Sequence, residues 1–157
     1  MSNTEKKKFE ILIVDDVKDN LLALNALLSQ ENVTILQAKS GNEALEIMLK
    51  HDVCLALLDV QMPVMNGFEL AELMRGSQKT RSIPIIFVTA IAKNQKFEFR
   101  GYETGAVDYL FKPIDPYILK CKVNVFLEMH KQKIELRDTI ELLNKIRQEL
   151  EQKHNAT

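Results

Sequence analysis

Three aspartates directly follow two short apolar segments of the sequence. Asp15 and Asp16 come after Ile11–Val14, and Asp59 comes after Val53–Leu58. Short apolar runs rich in β-branched residues are typical of strands buried on both faces of a parallel sheet. If these strands are neighbours, their carboxyl ends bring the carboxylates into one crevice, where open α/β sheets bind ligands. Anions held so close repel one another, so the pattern predicts a site for a divalent cation, Mg²⁺ or Mn²⁺.

Two other polar residues stand at matching positions later in the sequence. Thr89 closes the apolar segment Ile83–Val88, and Lys112 follows a weaker strand candidate, Val107–Phe111. A threonine hydroxyl can hydrogen-bond a phosphoryl oxygen, and a lysine ammonium acts as a point charge toward carboxylates and phosphate. With a carboxylate nucleophile and a metal ion, these groups suit phosphoryl transfer, in which positioning and charge neutralisation provide most of the catalysis.

Each of these residues also has an ordinary structural explanation. An aspartate after a strand is commonly a turn or N-cap residue, and a lone threonine or lysine at a strand end is unremarkable at a protein surface. The balance changes when the residues are taken together, because the required groups stand at four strand ends in order. The ordered set therefore favours a phosphoryl-transfer site.

Amphipathic helical patterns separate the predicted strands. Ser40 and Glu43 form a capping-box pair before one helix, and Asn66 belongs to a turn before another. Val33–Ala38 is a further strand candidate, and Phe97–Thr104 is a candidate for a short helix. Five strands that alternate with helices predict an α/β fold with a doubly wound, five-stranded parallel sheet of the flavodoxin-like order 2-1-3-4-5.

The last part of the chain has a different pattern. From Tyr117 to about Lys153 it contains no glycine or proline, and charged residues alternate with apolar ones. This predicts an extended C-terminal helix of about 35 residues and about 50 Å, whose distal half projects from the domain. An a/d heptad register favours a parallel coiled coil, and a solvated helix without a partner is the alternative. The register consists of Phe126, Met129, Lys133, Leu136, Ile140, Leu143, Arg147 and Leu150, with the lysine and the arginine as polar defects.

The composition argues against several other classes of protein. The 157 residues include 21 basic and 22 acidic ones, so no bulk field favours nucleic acid or an anionic membrane. Residues 1–8 form a polar, lysine-rich tail, and no segment approaches the roughly 20 apolar residues of a membrane span. Cys54 and Cys121 match no metal or redox spacing, and Cys54 is expected in the core. The expected setting is a reducing cytoplasm.

From Phe9 to about Met129, the sequence resembles the CheY-like receiver family of bacterial two-component response regulators. The matching motifs, in order, are Asp15-Asp16, Leu58 to Gly67 around Asp59, Val88-Thr89-Ala90, Gly105 to Tyr109, and Lys112-Pro113. The resemblance implies a receiver domain over residues 9–130. Residues 131–157 would then be a helical or coiled-coil extension, or a linker to an output module. The resemblance also implies a signalling domain that promotes its own phosphorylation and dephosphorylation, and not an enzyme with an external substrate.

The resemblance implies a role for each site residue. Asp59 would accept the phosphoryl group from a phosphohistidine of a sensor histidine kinase or a phosphotransfer protein. Asp16 and Asp59 would bind Mg²⁺ directly, Asp15 through a water molecule, and Gln61 through its backbone carbonyl. Lys112 would pair with Asp59 and later with the phosphoryl group.

The resemblance also implies a switch. Thr89 would move toward the phosphoryl oxygens and let Tyr109 turn inward at the face of the fourth helix, fifth strand and fifth helix. The change would control an output module, an effector protein or a homodimer formed through the C-terminal helix. The Lys112–Pro113 peptide would be cis. For Tyr109, the alternative is an aromatic residue at a strand end that packs on a helix.

The main alternative function is that of a metal-dependent phosphohydrolase with an aspartate nucleophile, similar to haloacid dehalogenases. That family needs a second aspartate two residues after its nucleophile, whereas Asp16 is followed by Val17 and Lys18. A receiver-like interaction module without phosphorylation is a third possibility. The complete acidic set, with Thr89 and Lys112, argues against it.

Two flanking residues, Gln61 and Ile91, are expected to set the lifetime of the phosphorylated form. We predict slow autodephosphorylation, because an apolar Ile91 would shield the acyl phosphate from water. In Ile91→Glu, the phosphorylated form should therefore decay faster than in the wild type. The measurement is the amount of phosphorylated protein that remains over time. Equal or slower decay in the variant would contradict shielding.

Overall fold

The computed structural model describes residues 9–90 and 108–156 of the chain. The strands are β1 (Phe9–Val14), β2 (Val33–Ala38), β3 (Val53–Asp59), β4 (Ile85–Thr89) and β5 (Asp108–Phe111). The helices are α1 (Lys18–Leu28), α2 (Gly41–Lys50), α3 (Gly67–Arg75) and the C-terminal helix (Pro116–Asn155). All strand pairs are parallel, and the order is β2-β1-β3-β4-β5. The predicted fold class and strand order are confirmed.

Two predicted features fall outside the described residues, and some strand boundaries differ; β1, for example, begins at Phe9 and not at Ile11. Ile91 and the candidate helix at Phe97–Thr104 lie in the part that is not described. Strand β4 begins at Ile85, whereas the apolar pattern had placed its start at Ile83. The cause is local, because Pro84 has no N–H to donate to the sheet and the Ile83 N–H donates to the carbonyl of Thr80 in a turn (3.1 Å).

Side-chain caps fix where the helices begin. Asn66 and Glu69 form a complete capping box at α3, since each side chain accepts a hydrogen bond from the other's backbone N–H. At α2 only half of the predicted box forms. Ser40 accepts from the N–H of Glu43 at 3.1 Å, but the Glu43 carboxylate accepts from Lys39 instead. These caps begin α2 and α3 shortly after the loops that follow β2 and β3 at the carboxyl edge of the sheet.

The hydrophobic core lies on both faces of the sheet. Alternating residues of β1 and β3 point to opposite faces, which explains why both segments are apolar throughout. One face packs against α2 and α3 through Met48, Phe68 and Met74. The other packs against α1 and the start of the C-terminal helix. Cys54 is buried there as predicted, and burial raises the pKa of its thiol to about 11.

The C-terminal helix is one continuous element of 40 residues, which corresponds to about 60 Å. Asp115 caps its first turn by accepting from the N–H groups of Tyr117 and Ile118. Its first part is anchored in the core by four buried residues, Leu119, Val123, Phe126 and Leu127. Every residue from Glu135 to Ala156 is exposed, which confirms the predicted projection. No helix among the described residues is long and apolar enough to cross a membrane.

Gly67 lies where the chain after β3 passes closest to the strand itself. A Cβ atom at this position would lie 2.4 Å from the backbone oxygen of Asp59 and 3.0 Å from the Cα of Val60. Backbone atoms cannot move aside cheaply, so we expect Gly67→Ala to lower the free energy of unfolding by about 1–3 kcal/mol. Urea unfolding followed by circular dichroism measures this loss.

Gly76 provides the matched control, because a Cβ there would meet nothing nearer than 3.5 Å. Its backbone, with φ −80° and ψ −7°, suits alanine, so Gly76→Ala should be neutral or stabilise the protein by about 0.4–1 kcal/mol. Equal effects of the two substitutions would contradict the close approach at Gly67.

Candidate functional site

The predicted acidic residues converge at the carboxyl edge of the sheet. Asp15 and Asp16 follow β1, Asp59 ends β3, and one carboxylate oxygen from each lies within 4.8 Å of the others. Asp15 and Asp59 are buried, while Asp16 is exposed to solvent. The adjacency of β1 and β3 in the sheet produces this cluster, as the sequence predicted.

Asp15 is held in place by its own hydrogen bonds. Its Oδ1 accepts from the backbone N–H of Val17 at 2.9 Å, and its Oδ2 accepts from the side-chain amide of Asn20 at 3.0 Å. Asn20 was not predicted as a site residue. The available signal was its position in the first turn of α1, directly after the β1 aspartates, where a polar side chain can reach back to the strand end.

Lys112 places its ammonium between two of the carboxylates. The Nζ atom lies 3.2 Å from Asp15 Oδ2 and 3.7 Å from Asp59 Oδ1. The ammonium donates its hydrogen bond to Asp15. Lys112 therefore forms ion pairs with both carboxylates and not with Asp59 alone. Its backbone N–H donates to the carbonyl of Thr89 at 2.8 Å, and the peptide to Pro113 is cis, as expected.

The environment of Asp59 favours its neutral form. Burial raises its pKa from the ordinary 3.8 to about 6, and the charge of Asp15 adds to this effect. The ammonium of Lys112 and the backbone N–H of Gln61 act in the opposite direction, while Asp16 contributes a smaller increase. A carboxylate held among other anions in this way is stabilised by an added cation.

Thr89 and Tyr109 lie on the neighbouring strands. Thr89 ends β4 and is buried, next to the strand end that carries Asp59. Tyr109 is buried in β5, with its ring 5.5 Å from that of Phe87 and stacked on that of Phe111 at 6.1 Å. The tyrosine is therefore inside the domain in this structure, and its role in a switch stays a prediction.

The loop after β3 follows directly on Asp59 and is partly exposed. The side chain of Gln61 is exposed, and Val64 has a positive φ of 69° and is 96% exposed. The turn is closed by a hydrogen bond from the N–H of Met65 to the carbonyl of Pro63 at 2.7 Å. The loop side chains at these two positions are therefore exposed to solvent, and the ligand role of the Gln61 carbonyl stays a prediction.

The raised pKa of Asp59 makes the stability of the metal-free protein depend on pH. The folded protein binds this proton more tightly than the unfolded chain, so the stabilisation is complete below about pH 4 and is lost as the pH rises through about 6. In the presence of a chelator at pH 7.5, we expect Asp59→Asn to raise the free energy of unfolding by about 1–3 kcal/mol, because the amide removes the unfavourable buried charge.

Urea unfolding between pH 4 and pH 7.5 measures this gain, which should shrink toward pH 4. Asp52, exposed at the opposite end of β3, provides the control, and Asp52→Asn should not reproduce the gain. A loss of stability in Asp59→Asn at pH 7.5 would contradict the prediction.

Residues 11–124 match the family model of the response regulator receiver domain. A probable cyclic di-GMP phosphodiesterase of Vibrio cholerae is 39% identical over 133 residues, which cover 85% of this chain and 30% of that protein. Response regulator PleD of Caulobacter vibrioides is 36% identical over 113 residues, which cover 72% of this chain and 25% of that protein. This chain therefore spans less than a third of the length of these two curated relatives.

Solved structures show the same fold. The chemotaxis protein CheY4 of Vibrio cholerae has a TM-score of 0.70 at 28% identity, over 76% of this chain and 98% of that one. The signal receiver domain of an HD domain-containing protein from Pseudomonas fluorescens Pf-5 has a TM-score of 0.72 at 26% identity, over 80% and 98%. On the strength of its fold, its acidic site and these matches, the chain belongs to the response regulator receiver domain family of two-component signalling.

Proposed function

We propose that Asp59 is the phosphoacceptor of this receiver and takes its phosphoryl group from a histidine of a sensor kinase or a phosphotransfer protein. The observation that carries the proposal is the position of the Asp59 carboxylate. It is buried at the end of β3, beside two further carboxylates and 3.7 Å from the Lys112 ammonium. This arrangement supports attack by a carboxylate oxygen on phosphorus in a pocket that already holds a balancing positive charge.

In the proposed step, an oxygen of Asp59 forms a bond to phosphorus while the phosphorus–nitrogen bond to the donor imidazole breaks. The electron pair of the broken bond stays on the imidazole nitrogen. The Lys112 ammonium can then move from the carboxylates toward the oxygens of the transferred phosphoryl group. The hydroxyl of Thr89 can donate a hydrogen bond to one of these phosphoryl oxygens. Asn20 holds Asp15 in position throughout.

The donor set fits a hard divalent cation, because it consists of carboxylate oxygens within 4.8 Å of one another. Asp15, Asp16, Asp59 and the backbone carbonyl of Gln61 would hold Mg²⁺ or Mn²⁺. Once bound, the ion would neutralise the carboxylates and the oxygens of the incoming phosphoryl group. The exposed Asp16 leaves one side of the cluster open to water, which suits an ion that keeps part of its hydration shell.

The signal would leave the site through Thr89 and Tyr109 and reach the C-terminal helix. The packing of this helix on the sheet face of β3, β4 and β5 supports such a route, since Leu119 and Val123 lie in the same core layer as Val88 and Leu110. The name of one longer relative, a probable cyclic di-GMP phosphodiesterase, supports an output module in a longer protein, either an enzyme of that kind or another effector. The cytoplasmic setting stays a prediction.

The first experiment is intact-mass measurement after incubation with Mg²⁺ and a small-molecule phosphodonor. We expect one added phosphoryl group in the wild type and none in Asp59→Asn. Replacement of Mg²⁺ by a chelator should abolish the addition, because the carboxylates would then repel the donor. Lys112→Ala should keep the fold and reduce the rate of addition by about tenfold or more, because one positive charge on the phosphoryl oxygens is lost.

Asp52→Asn is the control, since it removes an exposed aspartate that directly precedes the amino end of β3 and should leave phosphorylation unchanged. Phosphorylation of Asp59→Asn at the wild-type level would refute the assignment. Turnover of an external phosphomonoester, measured as released phosphate, would favour the phosphohydrolase alternative.

A further inference from the structure

The projecting part of the C-terminal helix carries a continuous apolar stripe. It consists of Leu136, Ile140, Leu143, Ile146 and Leu150, whose exposed fractions range from 45% to 62%. These residues recur at spacings of three and four, so they lie on one side of the helix. A stripe of this length exposed on a helix favours pairing with a second helix.

The stripe runs into a groove beneath the domain, on the side opposite the phosphorylation site. This basal groove has a volume of about 740 Å³ and lies between the amino ends of the strands and the helix. Its apolar lining includes Pro84, Met129 and Ile140. Its charged lining consists of the basic residues Lys79, Lys133 and Arg137 and the acidic residues Asp52 and Glu141. Because Ile140 belongs to both the stripe and the groove, one occupant can cover both surfaces.

The heptad positions of two residues argue against parallel pairing. In a parallel pair in register, each core residue lies opposite its own copy. Lys133 would then face Lys133 of the second copy, and Arg147 would face Arg147, so two like-charge contacts would fall in the seam. Like charges placed opposite each other in this way weaken an association.

An antiparallel pair centred near Lys145 removes both contacts. Ile140 then lies opposite Leu150 of the second copy, and Leu143 lies beside the aliphatic stem of Arg147. Ile146 lies near its own copy at the twofold axis. The helices overlap for about 21 residues, or about 30 Å, and the pairing is self-complementary, as twofold symmetry requires.

The charges next to the stripe fit the same arrangement. Arg137 comes beside Glu151 of the second copy, twice in each dimer. Residues 150–155 of the second helix then lie at the basal groove, whose lining includes Lys133 and Arg137. In a parallel pair Arg137 and Glu151 would be 14 residues, or about 21 Å, apart along the axis and would not meet.

We propose that this chain forms an antiparallel homodimer in which the apolar stripes pack together and residues 150–155 of each copy cover the basal groove of the other. This arrangement replaces the parallel one expected from heptad spacing alone. It places the two receiver domains at opposite ends of the helical pair, with both phosphorylation sites facing away from the interface.

A charge exchange tests the orientation. Arg137→Glu and Glu151→Arg should each raise the dimer dissociation constant by about tenfold, measured by sedimentation equilibrium, and the double variant should return to within about threefold of the wild type. Arg137 and Glu151 are too far apart to interact within one chain. Recovery in the double variant would therefore come from a contact between the two copies. Failure of the double variant to recover would overturn the proposed pairing, and so would a monomer at all accessible concentrations.

A distance between native cysteines tests the orientation independently. Cys121 is exposed and Cys54 is buried, so a spin label on the wild-type protein attaches at Cys121. The antiparallel dimer places the two Cys121 backbones about 70 Å apart along the helices. A distance below about 40 Å in a dimer would show parallel pairing and overturn the proposal.

Discussion

The structure is organised around the repulsion among carboxylates at the carboxyl edge of its sheet. Asp15 and Asp59 are buried beside each other, an arrangement that would be unfavourable without compensation. The compensation comes from fixed donors, namely the amide of Asn20, the backbone N–H groups of Val17 and Gln61, and the Lys112 ammonium. These donors come from several separate segments of the chain. The fold is therefore what brings the required positive charge to the site.

Much of this arrangement could be predicted from the sequence, because its strongest signals are local. A strand buried on both faces must be apolar throughout, so β1 and β3 were found together with the aspartates that follow them. The parallel order then fixed which strand ends are neighbours. The boundary at Pro84 was missed because an apolar pattern does not record the loss of one backbone donor.

Other features depend on packing that the sequence does not record. Asn20 is one polar residue among several in α1, and only the placement of that helix on the sheet brings it to Asp15. Likewise, the Lys112 ammonium is only slightly closer to Asp15 (3.2 Å) than to Asp59 (3.7 Å), and a sequence pattern does not record so small a difference. The basal groove arises from the direction in which a straight helix leaves the domain, and this direction is a property of the whole core.

The uninterrupted C-terminal helix has a mechanical consequence. Its first turns belong to the core through Leu119 and Val123, and the same rigid rod extends about 35 Å beyond the domain. There is no proline or glycine within the helix after Pro116 to absorb a rotation. A tilt of about five degrees at the buried end would therefore displace the far end sideways by about 3 Å. The helix acts as a lever that converts small rearrangements of the core into shifts large enough to change how side chains interlock at its tip.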